Sequence, residues 1–121
     1  MTGFLYVGAG GALGAALRYA ISLMPYRGTF PLLTLITNVI GAAVIGCIAG
    51  AAARRGMNPQ VVLFLKTGVC GGFTTFSTFS LETYELLHQG HYQTAVFYMV
   101  LSMALCLAGV VVGLYLAERI G

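Results

Sequence analysis

Residues 71–80 read GGFTTFSTFS, and this run sets the architecture expected for the whole chain. It places two glycines, five hydroxyl side chains and three phenylalanines inside a segment that is otherwise apolar enough to cross a membrane. That segment, of about 27 residues, would measure about 40 Å as a straight helix, which exceeds the ~30 Å of bilayer hydrocarbon. The sequence therefore predicts a helix that is broken near Gly71-Gly72 and carries a polar track beside the break.

Four apolar windows of membrane-spanning length occur in the 121 residues, approximately at 3–24, 32–53, 61–87 and 92–117. The chain is 59% apolar and 7% charged, too few charges to cover a water-exposed surface. The connectors contain Pro, Gly and Asn, which end helices. These features predict an all-α integral membrane protein, a single domain over 1–121 with four transmembrane helices and both termini on one side.

Charge and cysteine content narrow the functional classes. The net charge of +3 comes from six basic and three acidic side chains, which is too sparse for a phosphate-binding face and argues against nucleic acid as a partner. Basic residues favour the terminus side by only about four to two, a bias small enough to permit insertion in both orientations. The three cysteines lie in apolar segments without ligand spacing and are interpreted as core residues.

Polar groups in the predicted spans fall at similar depths. At ~1.5 Å per residue, Asn38 and Tyr98 lie about 9 Å from the membrane side opposite the termini, and Ser102 about 15 Å. Phe76 and Phe79 lie about 12 to 17 Å from the same side and share a helix face, because they are three residues apart. The amide, the phenol, the hydroxyls and the rings are therefore expected to share one layer.

A broken helix in this layer suits a small solute. The break offers unpaired carbonyls for a cation and a helix N-terminus for an anion. Hydroxyl and amide groups can replace the water of a hydrated anion, and inward-turned phenyl edges are weakly positive. The alternative is that single Ser and Thr hydroxyls bond back to carbonyls and the Phe rings only pack. The residues favour a channel for a small anion or polar solute.

Arg18 and Glu82 lie toward the same side of the membrane in the predicted topology. In-span ionisable side chains are costly and are treated first as functional. Two interpretations stay open: the two side chains form an ion pair, or Arg18 attracts anions into a vestibule.

Other functional classes fit the residues less well. No His/Cys metal pattern occurs and no histidine lies within a span to activate a serine, so an enzyme is not expected. A small multidrug transporter also has four short helices, but it needs an acid in its first span, where this chain has Arg18. A purely structural subunit is the third alternative and would carry no ion flux.

The motifs together resemble the CrcB/Fluc family of small fluoride channels. The resemblance covers nearly the whole chain and rests mainly on GGFTTFSTFS followed by Leu81-Glu82, with GGALGAALRY in the first span and TLITNVIG in the second. It implies an antiparallel, dual-topology homodimer in the bacterial inner or plasma membrane, through which fluoride leaves the cytoplasm so that its toxicity falls.

The resemblance also implies roles for individual residues. Fluoride would pass the ring edges of Phe76 and Phe79, and Arg18 would lie near a vestibule. A structural sodium ion at the dimer axis would be held by the backbone carbonyls of Gly71 and Thr74. One departure is Cys106, a weaker donor than the hydroxyl found there in some members. The remaining positions implied to line the pore are Asn38, Ser77, Thr78, Tyr98 and Ser102.

Overall fold

The computed structural model describes residues 1–120, whose regular secondary structure is entirely helical, with no strand. Four segments are long and apolar enough to cross a membrane: Thr2–Ser22, Leu32–Arg55, Pro59–His88 and Tyr92–Ile120. This confirms the predicted all-helical class with four candidate spans. The successive elements are α1 (Thr2–Ser22), α2 (Leu32–Arg55), α3 (Pro59–Val62), a π-helical stretch (Leu63–Cys70), α4 (Gly71–Phe73), α5 (Phe76–His88) and α6 (Tyr92–Ile120).

The third span, Pro59–His88, is broken as predicted, but the break lies at Thr74 and Thr75. Both residues are extended, with ψ of 155° and 118°. The predicted position at Gly71-Gly72 is wrong by a few residues, because both glycines are helical. Gly72 serves close packing instead, since a Cβ there would lie 2.5 Å from the carbonyl oxygen of Gly11.

Glycines let α1 pack closely against the first half of the third span (residues 59–73). Gly10 of α1 lies against Gly68, where a Cβ on Gly10 would come within 2.9 Å of the Gly68 Cα. Gly14 of α1 lies against Phe73, where a Cβ on Gly14 would be 2.8 Å from the Phe73 nitrogen. Residue numbers rise together on the two segments, so they run parallel. Backbone meets backbone here, as is typical of small residues at membrane helix interfaces.

A second parallel pair is formed by α2 and α6. A Cβ on Gly46 would lie 3.0 Å from the Val110 Cα, and one on Gly113 would lie 2.7 Å from the Cys47 nitrogen. Small residues therefore let these two helices approach to backbone contact as well.

The two halves of the third span have different main neighbours. The first half packs mainly on α1 and also contacts α2. The second half, α5, packs antiparallel against α6 and is joined to α2 by the hydrogen bond from Thr34 to Glu82. The core beneath α5 contains the buried residues Leu35, Leu86, Ala95 and Tyr98. The fold thus places the break, the start of α5 and one face of α6 next to one another.

Candidate ion pathway

The break is held open by one side chain of α2. The Asn38 amide donates from Nδ2 to the Thr75 carbonyl oxygen at 3.2 Å and accepts from the Thr75 N–H at Oδ1 at 2.9 Å. Both backbone groups of Thr75 therefore find partners outside the helix. The Thr78 N–H donates to Thr75 Oγ1 at 3.1 Å, so Thr75 is also the N-cap of α5.

A groove of about 730 Å³ runs along the bundle between α2, α6 and the third span. We call it the pathway groove. It contains four of the predicted pore residues and both predicted sodium-binding residues. Those six are Asn38, Phe76, Phe79 and Ser102, with Gly71 and Thr74.

Aromatic rings form a short series from this groove into the core. The ring centroids of Phe76 and Phe79 are 5.6 Å apart, and those of Phe79 and Tyr98 are 5.0 Å apart. The Phe76 side is open, because 78% of that residue is exposed, whereas Tyr98 is fully buried. Phe79 lies between them, half-buried. The series thus leads from the core to an uncovered face.

Ser102 is an unusual polar residue of the groove. Its side chain lines the groove and only 8% of the residue is exposed. Its Oγ has no hydrogen-bond partner in the described chain. A buried hydroxyl without a partner is costly, and a hydrogen-bond acceptor entering the groove would satisfy it.

Glu82 belongs to the site in a way that the sequence did not predict. Its Oε1 accepts from the Tyr98 hydroxyl at 2.8 Å, and its Oε2 accepts from Thr34 Oγ1 at 2.8 Å. It also lines a second cavity, of about 300 Å³, together with Thr34 and Glu85. Glu82 thus lies between that cavity and the aromatic series. Its spacing of three residues from Phe79 on one helix face was the available signal.

The alternative of an Arg18–Glu82 ion pair is not realised. Arg18 donates from Nε to the Gly72 carbonyl oxygen at 3.2 Å, so the side chain satisfies a backbone group next to the break. The only ion pair within residues 1–120 joins Arg54 to Glu118 at 3.7 Å. Depth alone suggested the wrong partner for Glu82, because it carries no information on which helix faces which.

The remaining predicted residues lie next to the groove without lining it. Tyr98 is behind Phe79, with its hydroxyl turned to Glu82. Ser77 is exposed at the start of α5, with its hydroxyl 3.3 Å from Thr75 Oγ1, and Thr78 is half-buried one residue later. The groove lining therefore brings together Asn38, Phe76, Phe79 and Ser102 but not Ser77, Thr78, Tyr98 or Arg18.

Backbone carbonyls at the break are freed from the helical pattern. In a continuous helix the Thr75 N–H would bond to the Gly71 carbonyl, but it donates to Asn38. The Thr78 N–H would likewise bond to the Thr74 carbonyl, but it donates to Thr75 Oγ1. In residues 1–120 no cluster of three His, Cys, Asp or Glu side chains could hold a metal ion. Carbonyl oxygens suit a hard cation.

A family model for the CrcB-like protein, Camphor Resistance (CrcB), matches residues 5–114. The chain belongs to the CrcB family. All residues of the pathway groove fall within the matched range. The groove is therefore part of the region that the chain shares with other CrcB proteins.

Known proteins similar to this chain match it over nearly its full length. Three of them are each named fluoride-specific ion channel FluC. The protein from Methylobacterium sp. (strain 4-46) is 43% identical, with 100% of both chains covered. The one from Ruminiclostridium cellulolyticum is 45% identical over 99% of this chain and 95% of its own. The one from Paracoccus denitrificans is 45% identical over 92% and 90%. This chain, with its four candidate spans, is a multi-pass bacterial membrane protein.

Proposed function

We propose that this chain is a fluoride channel that lets fluoride leave the cytoplasm and so lowers its toxicity. The observation that carries the proposal is the Ser102 hydroxyl, which is buried in the pathway groove without a partner. It lies in a groove with the Asn38 amide and the Phe79 ring. Relatives that cover the whole chain are named for the same ion.

Fluoride fits the chemistry of this groove better than a larger or cationic solute. It is small and strongly hydrated, so it needs several donors close together to replace its water. Ser102 offers a hydroxyl without a partner in the described chain. Asn38 has two side-chain N–H groups and uses one of them for the Thr75 carbonyl, so the other can donate to an ion. Ring edges of Phe76 and Phe79 add weakly positive contacts without a fixed charge that would trap an anion. We assign Ser77, Thr78 and Tyr98 to the approaches of this pathway.

We further propose that two copies close the pathway as an antiparallel homodimer in the bilayer. Phe76 is 78% exposed at the open side of the groove, so a single copy leaves the aromatic series without a wall. The weak charge bias of the connectors permits both orientations. The test is to measure the mass of the detergent-solubilised protein by light scattering and to map a terminal tag from both sides of intact vesicles. A monomer, or a tag accessible from one side only, would contradict this arrangement.

A structural sodium ion is the proposed cofactor at the break. The Gly71 and Thr74 carbonyls fit it, because the amides that would normally bond to them are directed to Asn38 and Thr75 Oγ1. When bound, sodium would supply a fixed positive charge where the two half-helices separate. Arg18 already satisfies the neighbouring Gly72 carbonyl, which leaves those two for the ion. Replacing sodium with a large organic cation should weaken flux or dimer stability, and unchanged flux and stability would remove the site.

The first experiment is fluoride efflux from liposomes that contain the purified protein, followed with a fluoride electrode and with chloride measured alongside. Rapid release of fluoride with little chloride is expected. Phe79→Ile removes the ring edges and should lower this flux sharply while the protein still assembles. A fluoride-sensitive bacterial strain expressing the chain should grow at higher fluoride concentrations.

Absence of fluoride release from vesicles with folded protein would overturn the proposal. Uptake of a cationic drug would then become the next assay, since small multidrug transporters share the chain length and helix number. Unchanged fluoride flux in Phe79→Ile would leave the channel in place but remove Phe79 from the pathway.

A further inference from the structure

We infer that Lys66 is the anion-attracting residue of the terminus-side mouth of the pathway groove. The inference rests on the proposed fluoride channel and adds a residue to it. Lys66 is the only lysine in the sequence, and it lines the groove together with Thr67 and Cys70.

Lys66 lies at one end of the groove. It comes seven residues after Pro59, where the third span begins, and therefore about 10 Å along the helix from the terminus side. Asn38 lies about 9 Å from the opposite side by the same measure. Val110 and Ile45, which also line the groove, lie about 15 Å from the terminus-side ends of their helices. Lys66 is thus the lining residue that an ion from this side meets first.

No carboxylate within residues 1–120 neutralises the charge of Lys66. Glu118 pairs with Arg54, and Glu82 accepts from Tyr98 and Thr34 near the other side of the membrane. No ion pair in residues 1–120 includes Lys66, and the residue is exposed. An ammonium at this depth faces a water-filled cavity or reaches the headgroups. Its place in the groove lining favours the cavity.

The π-helical stretch Leu63–Cys70 presents this side chain. The N–H of Gly71 donates to the carbonyl of Lys66, five residues back, instead of four as in an α-helix. This wider turn changes which residues face α1 and which face the groove. Gly68 meets α1, whereas Lys66, Thr67 and Cys70 line the groove.

The physical role follows from the surroundings of Lys66. The neighbouring wall is largely apolar, with Met103, Leu107 and Val110. A single positive charge in a cleft with low-dielectric walls raises the local concentration of anions. It lies away from Ser102 and Phe79, so it can attract fluoride without holding it in the narrow part. We expect Lys66 to affect the rate of entry and not the preference for fluoride over chloride.

The test compares fluoride efflux of the wild type with that of Lys66→Gln and Lys66→Arg at two ionic strengths, adjusted with an impermeant gluconate salt. At about 10 mM salt, Lys66→Gln should conduct about two- to fivefold more slowly, because electrostatic attraction acts over a long screening length. At about 1 M salt the two should converge, and Lys66→Arg should follow the wild type throughout. The matched control is Arg55→Gln, which removes one exposed charge on the same side outside the groove.

A chemical experiment on the assembled protein avoids any folding defect of a variant. Acetylation of the amino groups removes the Lys66 charge, whereas amidination keeps it. The N-terminal amine and some tyrosine and cysteine side chains react in addition, and Lys66→Arg treated in the same way reports their contribution. Acetylation should slow efflux of the wild type at low salt, and amidination should not.

Several outcomes would overturn the inference. Equal flux of Lys66→Gln and the wild type at low salt would do so, as would equal losses in Lys66→Gln and Arg55→Gln. A loss that persists at high salt would indicate a structural role. If the wild type itself releases no fluoride, the proposed function fails, which is a separate result from these.

Discussion

The first half of the third span contacts α1 through backbone atoms, whereas α5, the second half, is held by side chains. On α1 the contact depends on glycines such as Gly14, which leave no room for a Cβ. Around α5 it depends on hydrogen bonds from Asn38 to Thr75 and from Tyr98 and Thr34 to Glu82. The two kinds of contact therefore have different roles: the glycine contact positions the break, and the side-chain contacts form the pathway. Bulky substitutions of the contact glycines should remove the folded protein, and substitutions around α5 should change flux.

The largest effect is expected for Gly14→Val. A Cβ at Gly14 would lie 2.8 Å from the Phe73 nitrogen and would meet the Val69 carbonyl as well, so backbone would have to move. The cost is about 3 kcal/mol or more, enough to lose folded protein. Gly8→Val on the same helix is the control, because no atom lies within 4 Å of a Cβ there. Thermal unfolding in detergent should give a lower unfolding temperature for Gly14→Val than for Gly8→Val. Equal unfolding temperatures would contradict the role given to the glycine contact.

Asn38→Asp tests the contact that holds the break open. Aspartate still accepts from the Thr75 N–H but cannot donate to the Thr75 carbonyl, and it adds a negative charge to an anion pathway. A carbonyl left unpaired costs about 1–3 kcal/mol, so fluoride flux should fall about tenfold or more. The neighbouring control is Thr37→Val, whose lost hydroxyl bonds only to Leu33 of its own helix. Similar flux in the two variants would count against the assignment of Asn38.

A smaller effect is expected for Glu82→Gln. The carboxylate accepts from both Tyr98 and Thr34, whereas an amide has one acceptor oxygen and one NH2 donor, so one hydroxyl must accept instead of donate and loses its charged acceptor. Weakening one such bond, worth about 1 kcal/mol, should lower fluoride flux about three- to tenfold without loss of folded protein. Glu85→Gln, exposed on the same helix, should stay near the wild type. Unfolding of Glu82→Gln would show that this contact holds the fold as well.

The smallest effect is expected for Ser80→Ala. The Ser80 hydroxyl bonds back to the Phe76 carbonyl of its own helix at 2.9 Å and is exposed. Its loss should change fluoride flux by less than about twofold, since such local bonds contribute little. Ser102→Ala removes a hydroxyl that has no partner, and it should lower flux clearly more. Equal effects of the two variants would mean that the free hydroxyl of Ser102 does not contact the ion.

The four candidate spans could be predicted from composition and apolar length, because the membrane requires long apolar helices with every backbone group paired. The position of the break could not. Gly71 and Gly72 were interpreted as the weak point, but Gly72 is needed for the contact with Gly11. The helix opens at Thr75, where a side chain of another span takes over both backbone bonds.

The candidate site could be predicted in part, because the sequence gives the depth of each residue along its helix. Depth along each helix brought Asn38, Phe79 and Ser102 to one layer, and the structure places them in one groove. Rotation of the helices about their axes was not accessible, so Arg18 was considered as a partner of Glu82 although it contacts Gly72. Hydrogen bonds between helices depend on this rotation, which a single sequence does not specify.

The pairing between Asn38 and Thr75 has a consequence for which amino acids position 38 can accept. Two hydrogen bonds join the side-chain amide to the backbone N–H and C=O of one residue, Thr75, and they require a donor and an acceptor on a side chain with one methylene group. Glutamine is longer by one methylene, aspartate lacks the donor, and serine has a single oxygen for both bonds. A library of all codons at this position, grown on fluoride, should therefore return asparagine alone, whereas the exposed position of Ser80 should return many residues.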